Sequence, residues 1–181
     1  DALPIDSARN GGGRYNHSNS SPTLAGCTFT GNSADFGNGG GMWNYQGTPT
    51  LIDCTFTNNS AANGGGMWNY ESSPTLTDCA FTSNSVTGLF SRGGGMYNES
   101  SSPALIGCTF AINSATGNFS TGGGMYNWNG SNPTLTDCTF TSNSADDDGG
   151  GGQYNRDGSS PTLTNCTFTS NSAYLGGGMY N

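Results

Sequence analysis

Hydrophobic and polar residues alternate over short stretches that recur along the chain. In residues 134–136, Thr-Leu-Thr, and 138–141, Cys-Thr-Phe-Thr, the leucine, cysteine and phenylalanine share one face and the threonines share the other. A third stretch, Gly-Met-Tyr-Asn at 124–127, is predicted to place Met and Asn inward and the aromatic ring outward. No stretch carries a helical period of useful length. The pattern therefore predicts three short strands separated by turns.

These stretches belong to one repeating unit. The phrase Gly-Gly-Gly, followed usually by Met, an aromatic residue and Asn, occurs seven times, with copies 25 to 29 residues apart. A fixed period of this length is typical of a supersecondary element stacked on copies of itself. Because parallel crossover connections are right-handed, we predict an all-β, right-handed, single-stranded parallel β-helix with three short strands per coil and uncapped ends. The single segment 1–181 divides into six full coils, 11–38, 39–63, 64–92, 93–121, 122–149 and 150–175, with partial coils 1–10 and 176–181.

The spacing inside the unit separates rigid segments from variable ones. Pro to Cys is five residues in all six units, and so is Cys to the following Asn. Nearly all variation in length falls between the Asn-Ser-Ala phrase and the next triple glycine, as in the long segment 86–92 and the short segment 61–63. Fixed spacing is typical of packed strands and variable spacing of exposed loops, so we expect the loops along one edge of the stack.

Stacking the coils in register predicts columns of identical side chains. Coils should lie about 4.8 Å apart, the spacing of strands in a sheet. Phenylalanines would form an inner aromatic column and asparagines a ladder of side-chain amides, which satisfies polar groups inside a narrow core. The phenylalanine column is Phe29, Phe56, Phe81, Phe110, Phe140 and Phe168, and the asparagine ladder is Asn32, Asn59, Asn84, Asn113, Asn143 and Asn171. An inner leucine column is Leu24, Leu51, Leu76, Leu105, Leu135 and Leu163, and a second ladder is Asn44, Asn69, Asn98, Asn127 and Asn155.

Composition narrows the classes of function. Hydrophobic residues are 31%, charged residues 9%, and the formal net charge is −8. Such a composition leans toward disorder, but disordered tracts do not keep Leu, Cys, Phe and Asn in fixed register. There is no Lys and the four Arg are scattered, which excludes the clustered basic surface of a nucleic-acid-binding protein. No apolar run approaches the length of a membrane-spanning segment.

The paired phrases Gly-Gly-Gly-Met-(Tyr/Trp)-Asn and Phe-x-x-Asn resemble the two signatures of polymorphic outer-membrane protein repeats, which carry a Gly-Gly-Ala-Ile type motif and a Phe-x-x-Asn motif in each coil. More broadly, the chain is similar to right-handed parallel β-helix regions of large secreted bacterial proteins, over essentially all 181 residues. This resemblance implies a surface-displayed passenger, stalk or adhesive region. The chain departs from the pattern by keeping a Cys in all six coils and by using Gly where Ala is usual, at Gly41, Gly66, Gly95 and Gly124.

Catalytic and metal-binding candidates are few. Lyases and hydrolases of this fold need carboxylates clustered with Arg, Lys or His on one strand face, whereas His17 stands alone in a loop. Asp53, Asp78 and Asp137 share one column position, which continues as Gly or Asn and is interpreted as a solvated turn. The acidic run 146–148 is interpreted as a solvated loop rather than a calcium site. We therefore predict a non-enzyme without a catalytic residue, cofactor or metal.

The six cysteines occupy one inward column, 25 to 30 residues apart, without a Cys-x-x-Cys pair. One interpretation is a column of buried, small apolar thiols. The alternative is three disulfides between adjacent coils in an oxidising compartment, although stacked positions direct both Cβ atoms the same way.

Two outward columns are candidate ligand or partner surfaces. An aromatic column facing solvent would give a stacking platform for sugars or for a partner, whereas the same column facing inward would be core. Threonine pairs flanking each Phe resemble the surface of ice-binding proteins, but Thr is also favoured in any exposed strand. The candidate residues are Trp43, Trp68, Tyr97, Tyr126 and Tyr154, with Tyr15 and Tyr180 at the ends of their column, and Thr139, Thr141, Thr167 and Thr169. Glycans are a further expectation, at the sequons Asn16, Asn19, Asn58, Asn98, Asn118, Asn129 and Asn165.

Together these observations predict a structural, non-catalytic module, secreted or displayed on a cell surface, most simply bacterial. It would act as a filament subunit, stalk or adhesin passenger, and the alternative is a carbohydrate-binding or ice-binding face on a larger protein. Because the chain starts and stops within a repeat, we expect head-to-tail self-association or continuation in a longer chain. We expect no nucleic-acid partner and no membrane-spanning segment.

Overall fold

The computed structural model describes residues 9–147 and 149–181, and the backbone alone at position 36. Most of the predicted partial coil 1–10 lies outside the described residues, as does Asp148 of the acidic run. The described chain forms four parallel sheets that run the length of the stack. Each sheet takes one short strand from each successive coil, which is the architecture of the predicted solenoid.

Three of the sheets correspond to the three predicted strands. The methionine sheet contains Arg14–Asn16, Met42–Tyr45, Met67–Tyr70, Met96–Glu99, Met125–Trp128, Gln153–Asn155 and Met179–Tyr180. The leucine sheet contains Thr23–Ala25, Thr50–Ile52, Thr75–Thr77, Ala104–Ile106, Thr134–Thr136 and Thr162–Thr164. The phenylalanine sheet contains Thr28–Thr30, Thr55–Thr57, Ala80–Thr82, Thr109–Ala111, Thr139–Thr141 and Thr167–Thr169.

A fourth strand follows the asparagine ladder and was not predicted. The serine sheet contains Ser33–Asn38, Ser60–Asn63, Ser85–Thr87, Ser114–Thr116 and Ser144–Ala145. In each of its strands the residue after Ser is buried, as with Val86 and Ala115, which have no exposed surface. These strands vary in length from two to six residues, so they show no common period in the sequence, and the variable loops begin directly after them.

Strand pairing is in register from coil to coil. Leu76 pairs with Leu51 on one side and Leu105 on the other, and Phe81 pairs in the same way with Phe56 and Phe110. The register shifts between Ala34 and Asn38, in the first strand of the serine sheet. Identical residues therefore stack over one another, and the predicted leucine and phenylalanine columns are confirmed.

The core is narrow and built from these columns. Met, Leu, Cys and Phe side chains form one continuous buried cluster. Within it, neighbouring phenylalanine rings stack with centroids 4.7 to 4.8 Å apart. Since the inner cross-section holds a few side chains per coil, burial accumulates along the stack rather than in one central core.

Both predicted asparagine ladders are present. Asn84 Nδ2 donates to Asn113 Oδ1 at 3.0 Å and to the Phe56 carbonyl at 2.9 Å, and the Asn84 backbone N–H donates to the same Asn113 Oδ1 at 3.0 Å. In the second ladder Asn44 Nδ2 donates to Asn69 Oδ1 at 2.8 Å. Buried amides need hydrogen-bond partners, and in each ladder the asparagine of the adjacent coil supplies them. The ladders therefore hold adjacent coils together although their side chains are polar and buried.

The triple glycines allow adjacent coils to approach closely. A Cβ atom on Gly65, the middle glycine of its triple, would lie 2.5 Å from the carbonyl oxygens of both Gly94 and Ser85. The first glycine of a triple has a left-handed backbone, with φ of 69° at Gly93. Only glycine meets either requirement without strain, which explains why the triple glycine recurs in the coils.

Candidate functional surfaces

The aromatic column lies on the outer side of the methionine sheet. Met96 and Asn98 point into the core, while Tyr97 between them belongs to a separate aromatic cluster, which is the predicted orientation. The column is nevertheless not an open surface. Tyr97 and Tyr126 are each only 2% exposed, whereas Trp43 and Trp68 are half-buried.

Ring geometry decides what this column can bind. Tyr15 and Trp43 stack with centroids 4.4 Å apart and planes 8° apart, and Trp43 stacks on Trp68 at 5.1 Å and 8°. Since these partners come from successive coils, the ring faces point along the axis of the solenoid and the edges point outward. A sugar stacks on an aromatic face, and here the neighbouring ring already covers it. The column therefore does not present a continuous stacking platform.

A second file of side chains runs beside the first on the same face. His17, Tyr45 and Tyr70 stack in sequence, with centroids 5.1 and 5.4 Å apart. Glu99 then stands in register between Tyr70 and Trp128. This file of side chains was not predicted from the sequence. It consists of the residue directly after each inward Asn. The type of this residue varies too much from coil to coil for a column to be recognised in the sequence.

Charged side chains accompany the aromatic rings in the middle of this face. The Arg92 guanidinium lies 5.6 Å from the Tyr126 ring centroid and 5.9 Å from that of Trp128. Burial raises the pKa of Glu99, and burial likewise raises the pKa of Tyr97 far above its ordinary value. The Tyr97–Tyr126 contact is edge-to-face at 80°, so the regular stack is interrupted at this point.

The threonine surface lies on the outer side of the phenylalanine sheet. Thr139 and Thr141 pair in register with Thr167 and Thr169, and Thr139 Oγ1 donates to Thr109 Oγ1 at 3.2 Å. Ala80 and Ala111 interrupt the two threonine files. The threonine hydroxyls are therefore stacked in register, but an alanine interrupts each of the two files.

The residues considered for catalysis do not converge. His17 stacks on Tyr45 in an exposed position next to Ser18. Asp53, Asp78 and Asp137 have φ between 51° and 54°, the left-handed region that Asp, Asn and Gly tolerate best. Backbone conformation thus accounts for this column position. Within residues 9–147 and 149–181, no group of three or more His, Cys, Asp or Glu side chains could hold a metal ion.

The acidic loop has a structural contact. Asp146 accepts a hydrogen bond from the Gly117 N–H at 3.1 Å, and Asp147 accepts one from the Phe119 N–H at 3.0 Å. Both carboxylates therefore bind the loop of the preceding coil. The third acid of the run, Asp148, lies outside the described residues.

The six cysteines are free thiols in a single file. Four of them, from Cys54 to Cys138, are buried, while Cys27 and Cys166 are partly exposed. Hydrogen bonding with Cys108 lowers the pKa of Cys138 to about 7, and the same thiol contacts raise the pKa of Cys108 strongly. The thiols of adjacent coils therefore affect each other's ionisation.

Comparison with known proteins identifies the family. A family model described as right handed beta helix region matches residues 15–180. The chain belongs to this family, which confirms the predicted hand and fold of the solenoid. No curated protein and no solved structure matches the chain. In the part of the chain that the structure describes, no helix is long and apolar enough to cross a membrane.

Proposed function

We propose that the chain is a structural, non-catalytic module of an extracellular protein, serving as a stalk, an adhesin passenger or a filament subunit. The observation that carries this proposal is the regular stacking of the inner columns: the same leucine, phenylalanine and asparagine contacts recur from coil to coil. A stack with one repeated interface transmits load along its axis and varies in length by whole coils.

The secreted or surface location rests on resemblance. The Gly-Gly-Gly-Met-(Tyr/Trp)-Asn and Phe-x-x-Asn phrases resemble polymorphic outer-membrane protein repeats, whose β-helices are displayed at bacterial surfaces. The scarcity of charged residues on long, regular strand faces is compatible with such a role. Exposed sequons such as Asn118 and Asn129 would accept glycans in that setting.

The alternative is a binding face for carbohydrate or ice, and the geometry supports it less. Ring faces of the aromatic column cover one another, so a saccharide would meet ring edges. The threonine files break at Ala80 and Ala111. A structural role uses the regularity of the stack, whereas either binding role needs a surface that is here covered or interrupted.

Electron microscopy and an activity screen together test the proposal. Purified, unboiled protein should appear as rods or fibres of uniform width, and a panel of polysaccharides should yield no new reducing or unsaturated ends. Fibres would identify a filament subunit, and separate rods a stalk or passenger. Turnover of a polysaccharide that the Asp137→Asn variant abolishes would overturn the non-catalytic assignment.

A further inference from the structure

Two tyrosines of the second file combine ring contact with exposure. Tyr45 and Tyr70 are paired in register in adjacent strands of the methionine sheet, on its outer side. Their ring centroids are 5.4 Å apart and their planes differ by 3°. Both side chains are partly exposed, so small solutes can reach the two rings together.

The neighbours of this pair leave each ring with one phenol partner in the file. On one side, His17 of the preceding coil stacks on Tyr45, with centroids 5.1 Å apart. On the other side, the residue in register with Tyr70 is Glu99, which has no ring. A reaction between stacked phenols in this file therefore has one possible pair of partners, Tyr45 and Tyr70.

The tyrosines of the outer aromatic column also contact one another, but they are enclosed. Tyr97 contacts Tyr126, and Tyr126 contacts Tyr154, with centroids 5.1 and 5.3 Å apart. These three rings are only 2% to 7% exposed. Tyr154 also stacks on Tyr180, where the burial of Tyr154 shields one member of the pair. An oxidant in solution therefore reaches both members of the pair in the second file more readily than both members of any of these pairs.

A carboxylate beside the pair can accept a phenol proton. The negative charge of Glu71 raises the pKa of Tyr70, so the carboxylate lies close enough to the phenol group to interact with it. Gln46 Nε2 donates a hydrogen bond to Glu71 Oε2 at 2.8 Å, which helps to hold the carboxylate in place. Oxidation of a phenol to a neutral radical requires loss of its proton, and a base nearby makes that loss easier.

We propose that Tyr45 and Tyr70 are a site of oxidative cross-linking, at which a diffusible one-electron oxidant couples the two rings. Each phenol gives one electron to the oxidant and one proton to a base, which leaves two tyrosyl radicals. A carbon–carbon bond then forms between the ring carbons next to the two phenol oxygens. The hydrogen atom on each of these carbons shifts to the phenol oxygen, and the product, dityrosine, has two hydrogen atoms fewer than the original pair.

The bond would join adjacent coils covalently on their outer face. To form it, the rings tilt towards each other, which their partial exposure permits. A cross-link that closes a loop stabilises a protein mainly by restricting its unfolded state, and this bond would close a loop of one coil. The chemistry does not depend on the proposed extracellular role, although a stalk or filament would gain a permanent contact between coils from it.

Brief illumination of dilute protein with tris(bipyridyl)ruthenium(II) and persulfate tests the proposal. Two electrons from the tyrosines reduce one persulfate to two sulfates, and two protons pass to solvent. The monomer band on a denaturing gel should gain the blue fluorescence of dityrosine. Cleavage after Asp and Glu places Tyr45 in peptide 36–53, which has no Cys, and Tyr70 in peptide 54–71. Mass spectrometry should find these two peptides joined and lighter than their sum by two hydrogen atoms.

Phenylalanine variants identify the rings that react. Tyr45→Phe and Tyr70→Phe should each abolish the joined peptide, because phenylalanine has no phenol proton to lose. Tyr174→Phe is the matched control, since Tyr174 is 82% exposed but lies in the loop before the last triple glycine. This variant should form as much of the joined peptide as the parent protein, and circular dichroism confirms that each variant is folded.

A joined peptide in either the Tyr45→Phe or the Tyr70→Phe variant would show that other residues react, and would overturn the proposal. So would dityrosine that the parent protein forms only between separate chains. Loss of the joined peptide in both variants, together with its full yield in the Tyr174→Phe control, would establish the site.

Discussion

The inner phenylalanine column and the outer aromatic column on the methionine sheet differ in regularity, although the same coils contribute to both. In the inner phenylalanine column, ring centroids are 4.7 to 4.8 Å apart and planes differ by 3° to 8°. In the outer column the distances range from 4.4 to 5.9 Å and the angles from 8° to 80°. Inner rings are therefore placed almost identically, whereas outer rings adjust individually.

The surroundings explain this difference. The inner rings pack against the third glycine of a triple; a Cβ atom on Gly95, for example, would lie 3.0 Å from Phe110 Cδ1. The outer rings are Trp in two coils and Tyr in the others, and their neighbours include Arg92 and Glu99 in one coil but Tyr45 in another. Uniform spacing comes from surroundings that are the same in every coil, whereas the surroundings of the outer rings differ from coil to coil.

The largest effect is expected from breaking the inner column. Phe110→Ala should lower the free energy of unfolding by about 3–5 kcal/mol, because the ring is fully buried and the stacked coils cannot collapse onto the cavity. Chemical denaturation followed by circular dichroism measures the change. The same substitution at Phe119, in an exposed loop, is the control and should have little effect. A similar loss at both positions would contradict the comparison.

Removing one amide of the ladder should have the next largest effect. Asn113 Nδ2 donates to the Phe81 carbonyl, and Asn113 Oδ1 accepts from the Asn84 backbone N–H, so Asn113→Ala removes a hydrogen-bond partner from both of these backbone groups. We expect a loss of about 1–3 kcal/mol in the free energy of unfolding. Asn118→Ala, at an exposed loop position, is the matched control. A neutral Asn113→Ala variant would show that the ladder does not stabilise the stack.

The outer column should respond weakly. Arg92→Leu removes the guanidinium from the Tyr126 and Trp128 rings while keeping an apolar side chain over them. The expected loss is about 0.5–1 kcal/mol, the range for partly exposed cation–π contacts. Denaturant titrations of the variant and the parent protein measure it. A loss as large as that of Phe110→Ala would mean that the outer face, too, is a rigid core.

The smallest effect concerns pH. Burial raises the pKa of Glu99 in the folded protein, so the folded state binds its proton more tightly than the unfolded state does. Stability should therefore fall as pH rises from the ordinary glutamate pKa through the raised one. Glu99→Gln should remove this fall, making the variant slightly more stable than the parent at neutral pH but not at acidic pH. Thermal melts across pH 3 to 8 test this, and a variant less stable at neutral pH would contradict it.

Most of the interior was predictable from sequence because identical residues at fixed spacing define a register. Leu recurs two residues after Pro, Phe two residues after Cys and Asn five residues after Cys, and stacking them leaves one solution. The outer side was not predictable to the same degree. The alternation of inward and outward residues predicted that Trp43 and Trp68 face outward. The stacking of one ring on the other depends on side-chain conformation, which the alternation does not determine. The contacts of Asp146 and Asp147 depend on loop geometry, which no period encodes.

The central claim is that the chain is a stack of interchangeable coils held by its inner columns. Deleting residues 93–121 removes one whole coil and joins Arg92 to Gly122, the same junction that Arg92 makes with Gly93. Small-angle X-ray scattering with denaturant unfolding should show a folded rod shortened by about 4.8 Å, one coil spacing. An unfolded or non-cooperative variant would mean that the coils are not equivalent and would contradict the account.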